Sequence, residues 1–354
     1  MAIPTEPIGS IPRSPELIEA GRDLAAGRIS AANYQEAVDW AVRDTIAIFE
    51  ATGSPVITDG EQAKPSFATY PIAGLDNLAP DGVVIPFADG HSRQLPRLTA
   101  GPFRYRESAD TFLEKALRYA HVPVKQAVIS VSALSLLYPQ EGIGDYPREA
   151  FIDDLLAGAE AEIRRCLAKG AHNVQIDFTE GRLSLKLDPS GDLLRSFVDL
   201  NNRLFDRFSA EEWVRLGVHT CPGGDQNSVH SADVDYAYLL PSLFNLQAAN
   251  FYIQLASEPD RRRVLGIIRE QSRPDQRIFV GVIDPISARV ETVDQVRERV
   301  LEAAEFIPLE RLGTTDDCGF SPFGDDTSTN RETAFAKIRA RVEGTAAAAR
   351  ELGR

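Results

Sequence analysis

Eight short apolar runs recur along the chain, each leading into a stretch with helical spacing of apolar residues. This alternation limits the fold more than any other feature, because strand–helix repeats specify a parallel sheet covered by helices. The predicted strands are Thr5–Ser10, Ser54–Thr58, Ala127–Val131, Val174–Asp177, Leu216–Cys221, Phe251–Leu255, Ile278–Asp284 and Arg311–Thr315. Predicted helices follow from Ser14, Ser30, Ser108, Tyr146, Leu193, Ala232, Asp260, Thr292 and Thr329 or Asn330, several of them at N-cap residue types. The Ala-rich end of the last helix is expected to fray. Eight strands, short and apolar with little alternation, predict an α/β (β/α)8 TIM barrel. A doubly wound open sheet is the second choice, and it lacks the Gly-rich dinucleotide turn after its first strand.

Residues 1–354 read as one barrel domain. Lys64 to Arg106 interrupts it as an excursion after the second strand, rich in Pro and Gly and without helical period. A hairpin pairing Gly82–Pro86 with Arg97–Ala100 is expected there. Long loops inside compact domains usually serve function, so the excursion suits a lid or a homodimer contact, with an insertion lacking chemistry as the alternative.

The net charge of −14 argues against nucleic acid or an anionic membrane as partner. No apolar run approaches the roughly 20 residues that span a bilayer, and the N-terminus lacks the pattern of a signal peptide. Three cysteines make a disulfide framework improbable and fit a reduced, cytoplasmic setting.

In a barrel all strand C-termini open on one face. The residues read off there are Ser10, Asp59, Glu61, Ser130, Ser132, Asp177, His219, Cys221, Gln254, Asp284, Asp317 and Cys318. His219 and Cys221 stand two apart on one strand, so their side chains share a face. Alone, the pair also reads as a core histidine beside a buried thiol. Cys318 at a second strand end completes a set of one nitrogen and two sulfur donors, which favours Zn2+ over magnesium or calcium. Such a set leaves room for an incoming thiol, which the ion would hold as thiolate. Cys166, inside a helix, reads as packing. His230, in the loop after the His-x-Cys motif, suits a proton donor or a further ligand, with an exposed loop residue as the alternative.

At these residues the chain resembles the C-terminal barrel of cobalamin-independent methionine synthase and its single-barrel relatives, over nearly its whole length. Ile8-Gly9-Ser10 is similar to the family's opening Ile-Gly-Ser, Asp59-Gly60-Glu61 to its His-Gly-Glu, and Val174–Asp177 to its Ile-Gln-Ile-Asp. His219-Thr220-Cys221 and Asp317-Cys318-Gly319 look like its zinc motifs. The resemblance implies a zinc-dependent methyltransferase or alkyltransferase of methionine biosynthesis, moving a methyl or alkyl group to the zinc-bound thiolate of a homocysteine-like thiol. It implies His219, Cys221 and Cys318 as ligands, and Ile8, Gly9, Ser10, Glu61 and Asp177 around the thiol's amino-acid end. Asp284 opens the stretch that aligns with the family's catalytic Asp-Ile-His-Ser-Pro-Arg.

The chain also departs from the family. The remaining ligand, a Glu, is replaced by Gln254 with Glu258 four residues on. Ile286 stands where the proton-donating His would be, and Ser132–Tyr138 has no counterpart of the folate-stacking Trp. The family's N-terminal barrel is not in the chain. These departures argue against methyltetrahydrofolate as donor and leave a methylcorrinoid carrier or an epoxide. Two other readings stand beside the transferase. One is a metal-independent lyase or decarboxylase on the same barrel, as in uroporphyrinogen decarboxylase, using Arg104, Arg106 and Arg289. The other is a binding protein that has lost turnover.

Overall fold

The computed structural model describes residues 2–353. Six parallel strands form its central sheet in the order Leu312–Asp316, Arg277–Ile283, Asn250–Ile253, Leu216–Thr220, Val174–Asp177, Gln126–Ile129. Nearly every residue in them is buried, as a sheet covered on both faces requires. The two remaining predicted strands are present as single parallel bridges at the sheet's edges, Thr5 to Thr314 and Ile57 to Val124. The Glu6 N–H donates to the Thr314 carbonyl at 3.0 Å, and the Lys125 N–H to the Ile57 carbonyl at 2.8 Å. The two edge segments then meet: the Ile11 N–H donates to Gly60 O at 3.0 Å and Thr58 Oγ1 to Gly9 O at 2.7 Å. Eight chain segments therefore surround one axis, as the (β/α)8 reading requires. The expected ladders at Thr5–Ser10 and Ser54–Thr58 are cut to bridges because Pro4, Pro7 and Pro55 have no N–H to donate.

The barrel helices fall close to their predicted places, and Ser14, Ser30, Thr292 and Asn330 accept the N-cap hydrogen bonds. The last helix, Arg331–Glu351, does not fray. Ala340, Thr345, Ala348 and Ala349 are buried, and a Cβ on Gly344 would fall 2.4 Å from Val296 Cβ. Small residues let this helix press against the Val293–Ala304 helix, so the Ala-rich composition marks close packing rather than a loose end.

Inside the barrel, below the strand ends, Tyr252 stacks on Phe279 at 4.6 Å. Tyr252 also donates its hydroxyl to Glu6 Oε2 at 2.6 Å. Among the described residues no helix is long and apolar enough to cross a membrane.

The excursion differs from the expected hairpin. Val84–Pro86 pairs with Ser92–Gln94, and Leu78–Ala79 with Arg97–Leu98. The tight turn at Ala88–Gly90, where Gly90 takes φ +95°, sets the shorter register. The hairpin tip lies on a second hairpin, Gly224–Asp225 with Ser228–Val229, that follows the His-x-Cys strand. The Ala88 N–H donates to Val229 O at 3.0 Å. Arg93 and His91 both reach the buried Asp225 carboxylate, and Arg93 also pairs with Asp325.

Candidate metal and substrate site

Parallel pairing places Asp177 opposite His219, and His219 opposite Tyr252. The His219 ring is 1% exposed. Its Nδ1 meets the Tyr252 carbonyl at 3.2 Å, which fixes the proton on Nδ1. Nε2 then carries the free lone pair, and it is buried with no hydrogen-bond partner. Cys221 and Cys318 stand beside it with sulfurs 3.1 Å apart, and one donor atom from each of the three residues lies within 4.8 Å of the others. The Cys221 S–H directed at Cys318 holds the Cys318 thiol well below its ordinary range. The same contact, together with burial, pushes Cys221 well above it. A buried, partnerless imidazole nitrogen facing a thiol and a thiolate is costly unless something binds there. The nitrogen and sulfur donors fit a zinc ion.

Of the sequence alternatives for a further ligand, Gln254, Glu258 and His230, none joins this group. Arg182, 2% exposed, donates to Gln254 Oε1 at 2.9 Å and to Glu258 Oε1 at 2.8 Å. Both side chains thus serve the guanidinium, which also lies 4.5 Å from the centre of the Tyr236 ring. Asp317 holds the loop after the Asn250–Ile253 strand by accepting the N–H groups of Leu255, Ala256 and Ser257. Burial pushes its carboxyl up to about 7.

A cavity of about 600 Å³ opens beside His219 and Cys318, and Ile8, Gly9, Ser10, Glu61, Asp177 and His230 all line it. Each of these residues was singled out in the sequence, whereas Gln62, Lys64, Thr179 and Glu180, also on the lining, were not. Ser10 Oγ accepts the Ser321 N–H at 3.1 Å, and a Cβ on Gly319 would fall 2.2 Å from that oxygen. This contact seats the Cys318 loop against Ile8–Ser10. Glu61 sits at φ +55° in the turn after Gly60, with its N–H bonded to Asp59 Oδ1 at 3.0 Å. Its Oε1 accepts from Lys64 Nζ at 3.0 Å. Lys64 is fully sequestered, donating also to Ala127 O and lying 4.6 Å from the Tyr70 ring centre. Asp177 accepts from Gln175 Nε2 at 2.7 Å, and burial pushes its carboxyl up to about 7 against the pull of His219 and Lys64.

His230 faces the chamber with its ring against Gly223 and its Nδ1 2.9 Å from Ser231 Oγ. Burial, reinforced by Lys186 and Arg182, pulls its pKa down to about 4. A neutral imidazole is a poor source of protons at pH 7. Asp284 does not reach the cavity. Its Oδ1 accepts the Ile286 N–H at 3.0 Å and shapes its own loop. Arg104, Arg106 and Arg289, the arginines of the decarboxylase-like reading, also lie outside the lining. Cys166 is buried in the core, as expected.

Three contributors escaped the sequence reading. Lys64 looked like the start of the excursion, and its burial depends on Tyr70 and Ala127 folding over it. Phe87, from the excursion, lies 5.5 Å from the His230 ring, which makes the hairpin part of the chamber wall. Glu180 opens the helix Glu180–Leu187, which was not predicted. Its only sequence signal was a pair of serines, Ser130 and Ser132, at a neighbouring strand end.

These features define a barrel with a His–Cys–Cys group at its strand ends, and comparison with known proteins agrees. Residues 3–346 match the model of the family described as cobalamin-independent synthase, catalytic domain, and the chain belongs to that family. It is 25% identical over 360 residues to a 5-methyltetrahydropteroyltriglutamate–homocysteine methyltransferase of Streptomyces avermitilis, covering 99% of this chain and 42% of that one. The chain thus spans less than half the length of that relative. It is also 25% identical over 354 residues to a methionine synthase of Sulfurisphaera tokodaii, covering 99% of this chain and 94% of the relative. In fold it is similar to a B12-independent methionine synthase of Shewanella solved with selenomethionine: TM-score 0.76, 17% identity, 99% of both chains.

Proposed function

We propose that this chain is a zinc-dependent transferase that moves a methyl or alkyl group to the sulfur of a homocysteine-like thiol. The observation that carries this is the partnerless Nε2 of His219 beside the Cys221 and Cys318 sulfurs. Zinc held by these three residues would lower the pKa of an incoming thiol, so that it reacts as a thiolate at neutral pH. The chain's own residues orient that thiol. Asp177, adjacent to His219, offers a carboxylate to the α-ammonium, and the ammonium in turn favours the ionised form of Asp177. Glu61 provides the second acceptor, held in place by Lys64 and by the bond from Arg13 to the Glu61 carbonyl at 2.7 Å. The backbone of Ile8–Ser10 lies where the α-carboxylate would rest. The excursion hairpin, closed on Asp225, shields the thiolate from bulk water.

Methyltetrahydrofolate is a poor fit as donor. Its leaving nitrogen needs a proton, Ile286 supplies none, and His230 is neutral. The test is zinc content of protein purified without added metal, followed by homocysteine titration of the zinc-loaded form. About one zinc per chain in wild type, lost in Cys318→Ala, with homocysteine binding only when zinc is present, is the expected result. A reduced wild type that takes up no zinc would overturn it.

A further inference from the structure

Gln254 stands beside the His-x-Cys strand, its N–H donating to Thr220 O at 3.3 Å and its side chain buried. The amide oxygen is the one side-chain atom of a glutamine that can hold a metal, because the NH2 group has only protons to offer. Which end of this amide faces which neighbour follows from the hydrogen bonds. Nε2 donates to Ser257 Oγ at 2.7 Å, and Ser257 Oγ donates in turn to Asp317 Oδ2 at 2.8 Å. The serine proton is committed to the carboxylate, so its oxygen can only accept, and the amide must present its nitrogen there. Oε1 then falls to Arg182 Nη1 at 2.9 Å.

Arg182 is itself held from several sides. Nη1 also donates to Glu258 Oε1 at 2.8 Å, Nε and Nη2 both donate to Val234 O, and the Tyr236 ring lies against the guanidinium. A planar fork bonded in this way has little freedom to turn. Glu258 answers its charge, so the carboxylate nearest in sequence to position 254 is tied to the arginine as well. The line of bonds from Arg182 through Gln254 and Ser257 ends on Asp317, the residue before Cys318.

We propose that Arg182 is a positioning residue for the metal site: it withholds Gln254 and Glu258, so that His219, Cys221 and Cys318 are the whole protein ligand set and the incoming thiol joins the ion without displacing a side chain. The inference rests on the zinc site of the transferase reading above. Charge favours the arrangement. Two thiolates balance a divalent ion, so the substrate sulfur arrives at a neutral centre. A carboxylate ligand would put a further negative charge on the same centre and oppose a third thiolate. The thiol gives its proton to solvent, its sulfur takes the remaining coordination position, and no bond from the protein to the ion breaks. Arg182 thus turns two potential ligands into struts for the loop that carries Cys318.

The test uses Co2+ in place of zinc, because its visible bands report coordination, and azide as a small anion that enters an open position. The spectrum of cobalt-loaded wild type should change on adding azide. Gln254→Ala should keep the wild-type spectrum and a zinc affinity within twofold, where His219→Ala lowers that affinity tenfold or more. Gln254→Glu puts a carboxylate where the family has its ligand but leaves it paired with Arg182, so its azide response should also match wild type. In Arg182→Met/Gln254→Glu the carboxylate is released. Zinc affinity should then rise tenfold or more, and the azide response should vanish. A changed spectrum in Gln254→Ala would make Gln254 a ligand, and a lost azide response in Gln254→Glu would mean that Arg182 does not hold position 254. Either result overturns the proposal. So does a wild-type spectrum indifferent to azide, or a folded double variant that still responds to it. The single variants decide the matter if the double variant fails to fold. A wild type that binds neither cobalt nor zinc would instead remove the transferase reading itself.

Discussion

The sulfurs of Cys221 and Cys318 lie 3.1 Å apart although 97 residues separate them in the chain. One belongs to the end of the His219 strand and the other to the loop after the last strand, and barrel closure brings the two together. Two thiols this close are also poised to form a disulfide when no metal occupies them. Mild oxidation of metal-free protein should therefore leave Cys166 as the one titratable thiol after denaturation, and zinc should prevent the loss. Three thiols surviving oxidation of metal-free protein would show that the pair is not as close in solution.

Gly223 should tolerate no side chain. It sits at φ +69°, and a Cβ there would lie 1.7 Å from His230 Nε2. Gly223→Ala combines backbone strain with displacement of a buried ring, together about 2–4 kcal/mol. Gly90→Ala is the control: its φ is +95° but its surroundings are open, so about 1 kcal/mol is expected. Thermal unfolding of both variants measures the difference, and equal losses would mean that His230 moves aside freely.

The excursion should be held shut by Asp225. This side chain is wholly buried and takes Arg93 and His91 together. Asp225→Ala leaves Arg93 with only the exposed Asp325, a local loss of about 1–3 kcal/mol given the partial exposure of the arginine. Limited proteolysis should then cut within residues 82–95 several-fold faster while the midpoint of global unfolding moves little. Unchanged cleavage would mean that the backbone bond from Ala88 to Val229 and the Phe87 contacts suffice.

Glu162 should tie stability to pH. Burial pushes its carboxyl up to about 7, although the Ala109 N–H and the Tyr70 hydroxyl both donate to Oε1. Its ordinary value is 4.5, so the folded state holds a proton that the unfolded state has released. The contribution is complete below about pH 4.5 and is lost as pH rises through about 7, a change on the order of 3 kcal/mol. Glu162→Gln should match wild type near pH 4.5 and exceed it in stability near pH 8. Parallel stability curves for the two proteins would rule out a buried proton on Glu162.

The strand–helix alternation and the strand-end residues His219, Cys221 and Cys318 were legible in the sequence because both follow from local periodicity and from the geometry common to barrels. Asp177, Glu61 and Ser10 were legible through motif resemblance, and their places on the cavity wall follow from the same strand ends. Asp284 was misjudged because sequence spacing cannot tell a strand-end carboxylate that faces the axis from one that bonds its own loop. The pairing of the excursion was misjudged because the turn at Ala88–Gly90, rather than the length of the apolar runs, sets the register.

The sequence by itself determined the strand–helix alternation of the barrel, the nitrogen and sulfur donor types at its strand ends and Ile rather than His at position 286, since these depend on residue identity and short-range order. Tertiary structure alone decided which oxygen of Gln254 or Glu258 was free, and it gave both to Arg182. It also enclosed Lys64, latched the excursion on Asp225 and left Glu180 Oε2 without a partner. Each depends on contacts between segments far apart in the chain, and the burial those contacts create makes an unpaired charge or lone pair costly enough to mean something.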